Sequence, residues 1–94
     1  MLRISVESNG EICLKGRFDA TQVQEATEMF DRVLTTTVVD FGELEYISSA
    51  GLSVLLKTQK RLMHDGHELI IKNPNKHIRE IFKYAGFDLL FKIE

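Results

Sequence analysis

The chain has 94 residues, 44% of them hydrophobic and 28% charged, with a formal net charge of -2 at pH 7. That length predicts one domain with a single modest core, and the faintly acidic balance lacks the basic stripe that nucleic-acid binding demands. A lone cysteine, Cys13, forbids an intramolecular disulfide, and no apolar run approaches the ~20 residues of a membrane span, so no direct membrane insertion is expected.

Leu2, Ile4 and Val6 alternate with polar residues, Asn9-Gly10 follows, and Ile12 and Leu14 resume the alternation. Asn-Gly between two period-two runs predicts an opening β-hairpin, because both positions tolerate positive φ. The same pattern lacks the apolar stretch of a signal peptide, and a reducing compartment, the cytoplasm, is expected. Cys13 falls inside the second run and is read as a small buried hydrophobe. Gly16-Arg17-Phe18-Asp19 leaves the hairpin, and Asp19 or Thr21 caps a helix. Val23, Ala26, Phe30, Val33 and Leu34 recur at helical spacing on its inner side, with Gln22, Gln24, Glu25 and Glu28 outside.

The β-branched, apolar run from Thr35 to Phe41 predicts a strand buried on both faces, with Gly42 to Ile47 as a connection. Ser48 or Ser49 then caps a second helix with an inner stripe of Leu52, Leu55, Leu56, Gln59, Leu62 and Met63, ending at Gly66. Lys57, Lys60 and Arg61 stand near Asp65 and Glu68, as on a solvated helix face. His67 to Lys72 predicts a further strand, Asn73-Pro74-Asn75 a turn, and Ile78, Ile81, Phe82 and Ala85 a third helix stopped by Gly86. Asp88 to Ile93 completes the order as an edge strand. The alternation predicts an α/β domain over residues 1–94, with a mainly parallel sheet of four to five strands. Its helices cover one face or are shared between two.

The segment from Val39 to Leu52 carries the chemistry. A strand there runs towards two serines at the start of an apolar helix, and the carboxyl edge of a parallel sheet is where α/β folds place functional groups. The helix N-terminus offers free N–H groups and a partial positive charge that suit a phosphate. Ala50 and Gly51 are small, so another molecule can approach the backbone; equally, one serine is a plain cap and Gly51 permits close packing.

Asp40-Phe41-Gly42 and Tyr46-Ile47-Ser48-Ser49-Ala50-Gly51-Leu52, followed by Val54-Leu55-Leu56, resemble the signature of STAS domains, in particular the bacterial anti-sigma factor antagonists. Gly16-Arg17-Phe18-Asp19 and the closing Ala85-Gly86-Phe87-Asp88 extend that resemblance over essentially the whole chain. It implies that Ser49, two residues before Gly51, is the phosphorylated serine. It also implies two partners: an anti-sigma factor serine kinase that binds the unphosphorylated form, and a metal-dependent serine phosphatase that resets it. Asp19, Asp40, Ser48, Ser49, Gly51 and Leu52 are then the expected partner-binding residues, with Glu43 and Glu45 nearby. No catalytic residue, cofactor or metal ligand is implied. Many family members carry Asp before the phosphoserine and Ser or Thr after it, where this chain has Ser48 and Ala50. A STAS accessory subunit of a lipid ABC transport system, never phosphorylated, is the other reading.

Three further chemistries compete less well. Ile47-Ser48-Ser49-Ala50-Gly51 lacks one glycine of the Gly-x-Ser-x-Gly elbow, and His64, His67 and His77 are expected away from it. His64-Asp65-Gly66-His67 reads as a solvent-facing turn rather than a metal site. Asp19 and Asp40 read as a cap and a strand-end hydrogen bond rather than an acid/base pair.

Overall fold

In the computed structural model, which describes residues 1–94, five strands form one sheet in the order β1-β2-β3-β4-β5. β1 (Arg3–Val6) pairs antiparallel with β2 (Ile12–Phe18); β3 (Thr37–Ile47), β4 (Leu69–Lys72) and β5 (Lys92–Ile93) follow in parallel. The crossovers are α1 (Val23–Phe30), α2 (Ser49–His64) and α3 (Lys76–Tyr84). The expected hairpin is present, but only Gly10 takes a positive φ, of 88°. Its N–H donates to the Glu7 carbonyl at 2.9 Å while the Asn9 side chain accepts from Glu11 N–H, so the loop is a three-residue one closed by a glycine bulge.

Side chains alternate across a strand, which puts Ile12, Leu14, Val39, Phe41, Leu69 and Ile71 on one face, each at most 2% exposed. Phe30, Leu55, Leu62, Ile78 and Phe82 from all three helices join the same core, so the helices share that face. Phe82 is its hub, with ring centroids 6.0 Å from Phe41, 5.9 Å from Phe87 and 5.6 Å from Phe91. Each such aromatic pair is worth about 0.5–1.5 kcal/mol beyond area burial. The opposite face stays open. Val38 and Ile70 are only half-buried there, against the expectation of a strand buried on both sides. Cys13 is half-buried on that open face too, rather than in the core. No helix is long and apolar enough to cross a membrane.

Five further expectations change. β2 continues through Gly16 to Phe18; Gly16 has φ 92°, and a Cβ on it would collide with the Met1 carbonyl. α1 stops at Phe30 although Val33 and Leu34 keep helical spacing. Arg61 accommodates that end: its two terminal nitrogens donate to the Val33 and Phe30 carbonyls at 2.8 and 2.9 Å, so it caps α1 instead of facing solvent. On α2, Val54 and Thr58 are buried and Met63 is 52% exposed, which shifts the inner stripe. The final segment is a 3-10 turn at Phe87–Leu89 and a two-residue β5, and β4 begins at Leu69 rather than His67.

The largest difference is β3. Gly42 to Ile47 is strand, not a connection. Register shifts against β2 between Cys13 and Lys15, and between Gly16 and Arg17, insert extra residues into β3. Buried Phe41, Leu44 and Ile47 are therefore spaced by three, because a bulge puts two residues opposite one.

Candidate functional site

β2 and β3 finish side by side, with Phe18 paired to Ile47. Ser48 N–H then donates to the Phe18 carbonyl at 2.8 Å. Asp19 and Ser48 thus leave neighbouring parallel strands at the carboxyl edge of the sheet, one opening the turn before α1 and the other opening α2.

Ser48 is extended, with φ −86° and ψ 170°, and is the N-cap of α2. Its Oγ accepts from Gly51 N–H at 3.1 Å and its carbonyl accepts from Leu52 N–H at 2.9 Å. Ser49 is the first helical residue; it is exposed, and its hydroxyl makes no hydrogen bond within the chain. Only its carbonyl is engaged, accepting from Ser53 Oγ at 3.1 Å. The first turn of α2 holds no acid, and Arg61 and His64 stand in its last turn, so the positive end of the helix dipole is uncompensated beside the serines. The two serines are chemically distinct: one hydroxyl is occupied and the other is free.

Gly51 is buried, and the reason is packing. A Cβ there would sit 3.0 Å from Ile47 Cγ1 and 3.1 Å from Cδ1 and Cγ of Phe18. The glycine lets α2 start directly on the strand ends, and it presents no open backbone to a visiting molecule. Leu52 is likewise inside, at 8% exposed.

Asp19 is the N-cap of the 3-10 turn Ala20–Gln22 that leads into α1. Its Oδ1 accepts from Thr21 Oγ1 at 2.6 Å and Thr21 N–H at 2.9 Å, and its own N–H donates to Gln22 Oε1 at 2.9 Å. The Thr21 hydroxyl and then the Thr21 N–H stabilise the anion and hold this carboxyl below its ordinary range, with the Arg17 charge a lesser cause. Asp19 therefore fixes the chain beside Ser48 as well as presenting charge there.

Asp40 does not join this site. Because β3 runs on to Ile47, Asp40 lies on the open face, its Oδ1 accepting from Gly42 N–H at 2.8 Å. Glu43 is also separate, paired with Lys15 at 3.2 Å. On the same face the Cys13 thiol is pushed up to about 11 by desolvation, a hydrogen bond with Glu7, and the charges of Glu7 and Asp40. His64 sits at the far end of α2, about 22 Å from Ser49 at 1.5 Å per residue. One neighbour was not anticipated: Arg17 lies 4.4 Å over the Tyr46 ring, just below the two strand ends. Their pairing is visible only once the bulges are counted.

The family model described as "Mlab, STAS domain" matches residues 4–92. BtrV of Bordetella bronchiseptica, named as a candidate anti-sigma factor antagonist, is 34% identical over 85 residues, covering 86% of this chain and 73% of BtrV. A candidate anti-sigma factor antagonist of Thermotoga maritima superposes with a TM-score of 0.81 at 17% identity, over 99% of this chain and 85% of that one. Phosphorylated SpoIIAA, a Bacillus cell fate determinant, gives 0.72 at 17% identity, over 100% of this chain and 91% of its own. At that identity the two structures speak for the fold alone, while the sequence matches run through both strand ends and the serine-bearing helix start. This chain belongs to the STAS domain family.

Proposed function

We propose that residues 1–94 act as one cytoplasmic STAS module, an anti-sigma factor antagonist that binds a kinase-type anti-sigma factor while Ser49 is unphosphorylated. Phosphorylation releases it. The Ser49 Oγ takes the γ-phosphoryl group of ATP, ADP leaves, and the kinase accepts the hydroxyl proton; a metal-dependent serine phosphatase returns the chain to its starting form. The module is a phosphoacceptor and not an enzyme.

The supporting observation is the division of labour between the two serines: Ser48 Oγ is held by Gly51 N–H, and the Ser49 hydroxyl is exposed and unengaged. A phosphate adds about −1.5 to −2 charge at neutral pH. The start of α2 tolerates it, so the fold survives. A partner covering that helix start would have to desolvate the new charge, at a cost of several kcal/mol, against the ~8 kcal/mol of a micromolar complex. Asp19 adds a fixed negative charge on the same rim. Ser48, Ser49 and Asp19 form the centre of the proposed partner surface, Gly51 and Leu52 support it from inside, and Asp40 contributes only if a partner wraps onto the open face.

Incubation with the cognate kinase and ATP, followed by tandem mass spectrometry, tests the reading: one phosphate on Ser49 is expected, and phosphate mainly on Ser48 overturns the site. Ser48 and Ala50, where many members have Asp and Ser or Thr, favour the second reading, an unphosphorylated accessory subunit of a membrane transport system. A pull-down that brings a transporter ATPase instead of a histidine-kinase-like ATPase decides for it.

A further inference from the structure

Charge is unevenly divided between the first two helices. α2 holds Lys57, Lys60 and Arg61 and no acid, so it carries +3 in a chain of net -2 and leaves -5 on the rest. α1 beside it is the reverse, with Glu25 and Glu28 and no base. Arg61 is engaged at the end of α1. Lys57 and Lys60 remain, both exposed and neither paired with a carboxylate of the chain. Asp31 lines the same cleft as Lys57 without pairing to it.

Unpaired lysines are common on this surface, and position sets these two apart. At about 100° per residue, Ser49, Lys60, Ser53, His64 and Lys57 fall within about 80° of one another, and all five are exposed. The Ser49 hydroxyl therefore heads a continuous stripe about 22 Å long. Leu56 and Met63 border it on one side; Met63 is 52% exposed and shares a shallow depression with Leu90, itself 41% exposed. On α3, by contrast, Glu80 stands four after Lys76 and three before Lys83, so those cations have an acid on their own face. Fixed cations with an apolar edge, continuous with the proposed phosphoserine, have the make-up of a docking surface.

We propose that the exposed stripe of α2 is the track on which the anti-sigma kinase docks, and that the kinase meets it with an acidic surface. Its carboxylates face Lys57 and Lys60, and its apolar side chains pack against Leu56 and Met63. The inference rests on the reading of Ser49 given above and names the chemistry of the partner which that reading requires. It also adds a cause of release: a phosphate at the head of the track repels an acidic partner, beyond the cost of desolvating it.

The test uses the full chain and the kinase that phosphorylates Ser49 in the assay above. Lys57→Glu combined with Lys60→Glu should raise KM for the chain about tenfold and leave kcat unchanged, as expected when exposed charges that only bind are reversed. Association followed by stopped flow should slow in step. Raising the salt from about 0.05 to about 0.5 M should slow the native chain towards that variant. Lys57→Gln with Lys60→Gln should lose about threefold and most of the salt dependence. Lys76→Glu with Lys83→Glu, the same charge change on α3, should match the native chain. All four lysines are exposed, so each variant should keep the native circular dichroism spectrum. A charge-reversed α2 with the native KM, or an α3 pair that raises KM as much, overturns the docking track and leaves Ser49 as the phosphoacceptor. A native chain that takes no phosphate on Ser49 overturns the proposed function and this inference with it.

Discussion

Replacing Gly51 by alanine separates a helix that is merely started by Ser48 from one that is seated on the strand ends. By helix propensity alone, glycine to alanine gains up to ~1 kcal/mol. Here the added Cβ would meet Ile47 at 3.0 Å and the Phe18 ring at 3.1 Å. Neither neighbour can retreat, since Phe18 is 0% and Ile47 2% exposed and the two are paired in the sheet. Overpacking of this kind costs about 1–3 kcal/mol. The helix start must also drift outward, loosening the Gly51 N–H to Ser48 Oγ bond of 3.1 Å, part of a cap worth about 1 kcal/mol. The balance is a loss of roughly 1–2 kcal/mol. For a domain of this size each kcal/mol moves Tm by about 4–8 °C. Thermal and urea melts followed by circular dichroism measure it, with exposed Ser53→Ala on the same helix as the control, expected within about 0.5 kcal/mol of the native chain. A Gly51→Ala protein that melts higher than the native one refutes the packing argument.

Ser49→Ala should bind the anti-sigma partner at least as tightly as the native chain and resist release by ATP, whereas Ser49→Asp should bind worse yet melt no lower, because aspartate at a helix start gains a few tenths to ~1 kcal/mol. Calorimetry giving equal affinities for all three would remove the charge switch. Gln59, 1% exposed, links Leu69 N–H and the Leu90 carbonyl at 2.7 Å each; Gln59→Leu should cost about 1–3 kcal/mol from the stranded Leu69 N–H alone, and hydrogen exchange should accelerate most at Leu69. With its thiol pushed up to about 11, Cys13 should react slowly with iodoacetamide at pH 8 and speed up towards that value, and Glu7→Gln should bring the rise to lower pH. The Asp19 carboxyl is held below its ordinary range in the folded chain, so its contribution to stability is present above about pH 4 and fades as pH falls through the lowered value. Asp19→Asn should flatten that acid limb of the melting curve; an unchanged limb would show that Asp19 does not supply it.

Local punctuation was readable from the residues. Asn9-Gly10 announces a hairpin, Gly66 and Gly86 end helices by taking positive φ (82° and 74°), and the alternation of strand and helix yields the parallel sheet. The local pattern fails where distant groups and bulges set the outcome. Val33 and Leu34 keep helical spacing, yet Arg61, 28 residues beyond Val33, accommodates the carbonyls of a helix that stops earlier. The polar residues Glu43 and Glu45 around Gly42 look like a loop because the bulges replace the two-residue period by three, and a loop there would bring Asp40 beside the serines, whereas the strand runs on to Ile47. Within the site, the residues do not distinguish the serines: a cap accepts from an N–H three residues on, as Gly51 stands to Ser48. Ser49 stands equally three before Leu52, so the cap is decided by where α2 begins: Ser48 is extended and Ser49 is already helical.

β3 pairs with β4 over Thr37–Asp40 and with β2 over Val39–Ile47. Only Val39 and Asp40 are braced from both sides, so the strand works as a splice joining two half-ladders. Drift in the first half can retune the surface near Thr37, and drift in the second can retune the rim that carries Ser48 and Ser49, each with a different neighbour absorbing the change. A new partner at one end then demands no compensating substitution at the other. In a chain this small, that staggered seam lets two surfaces evolve independently on a single strand.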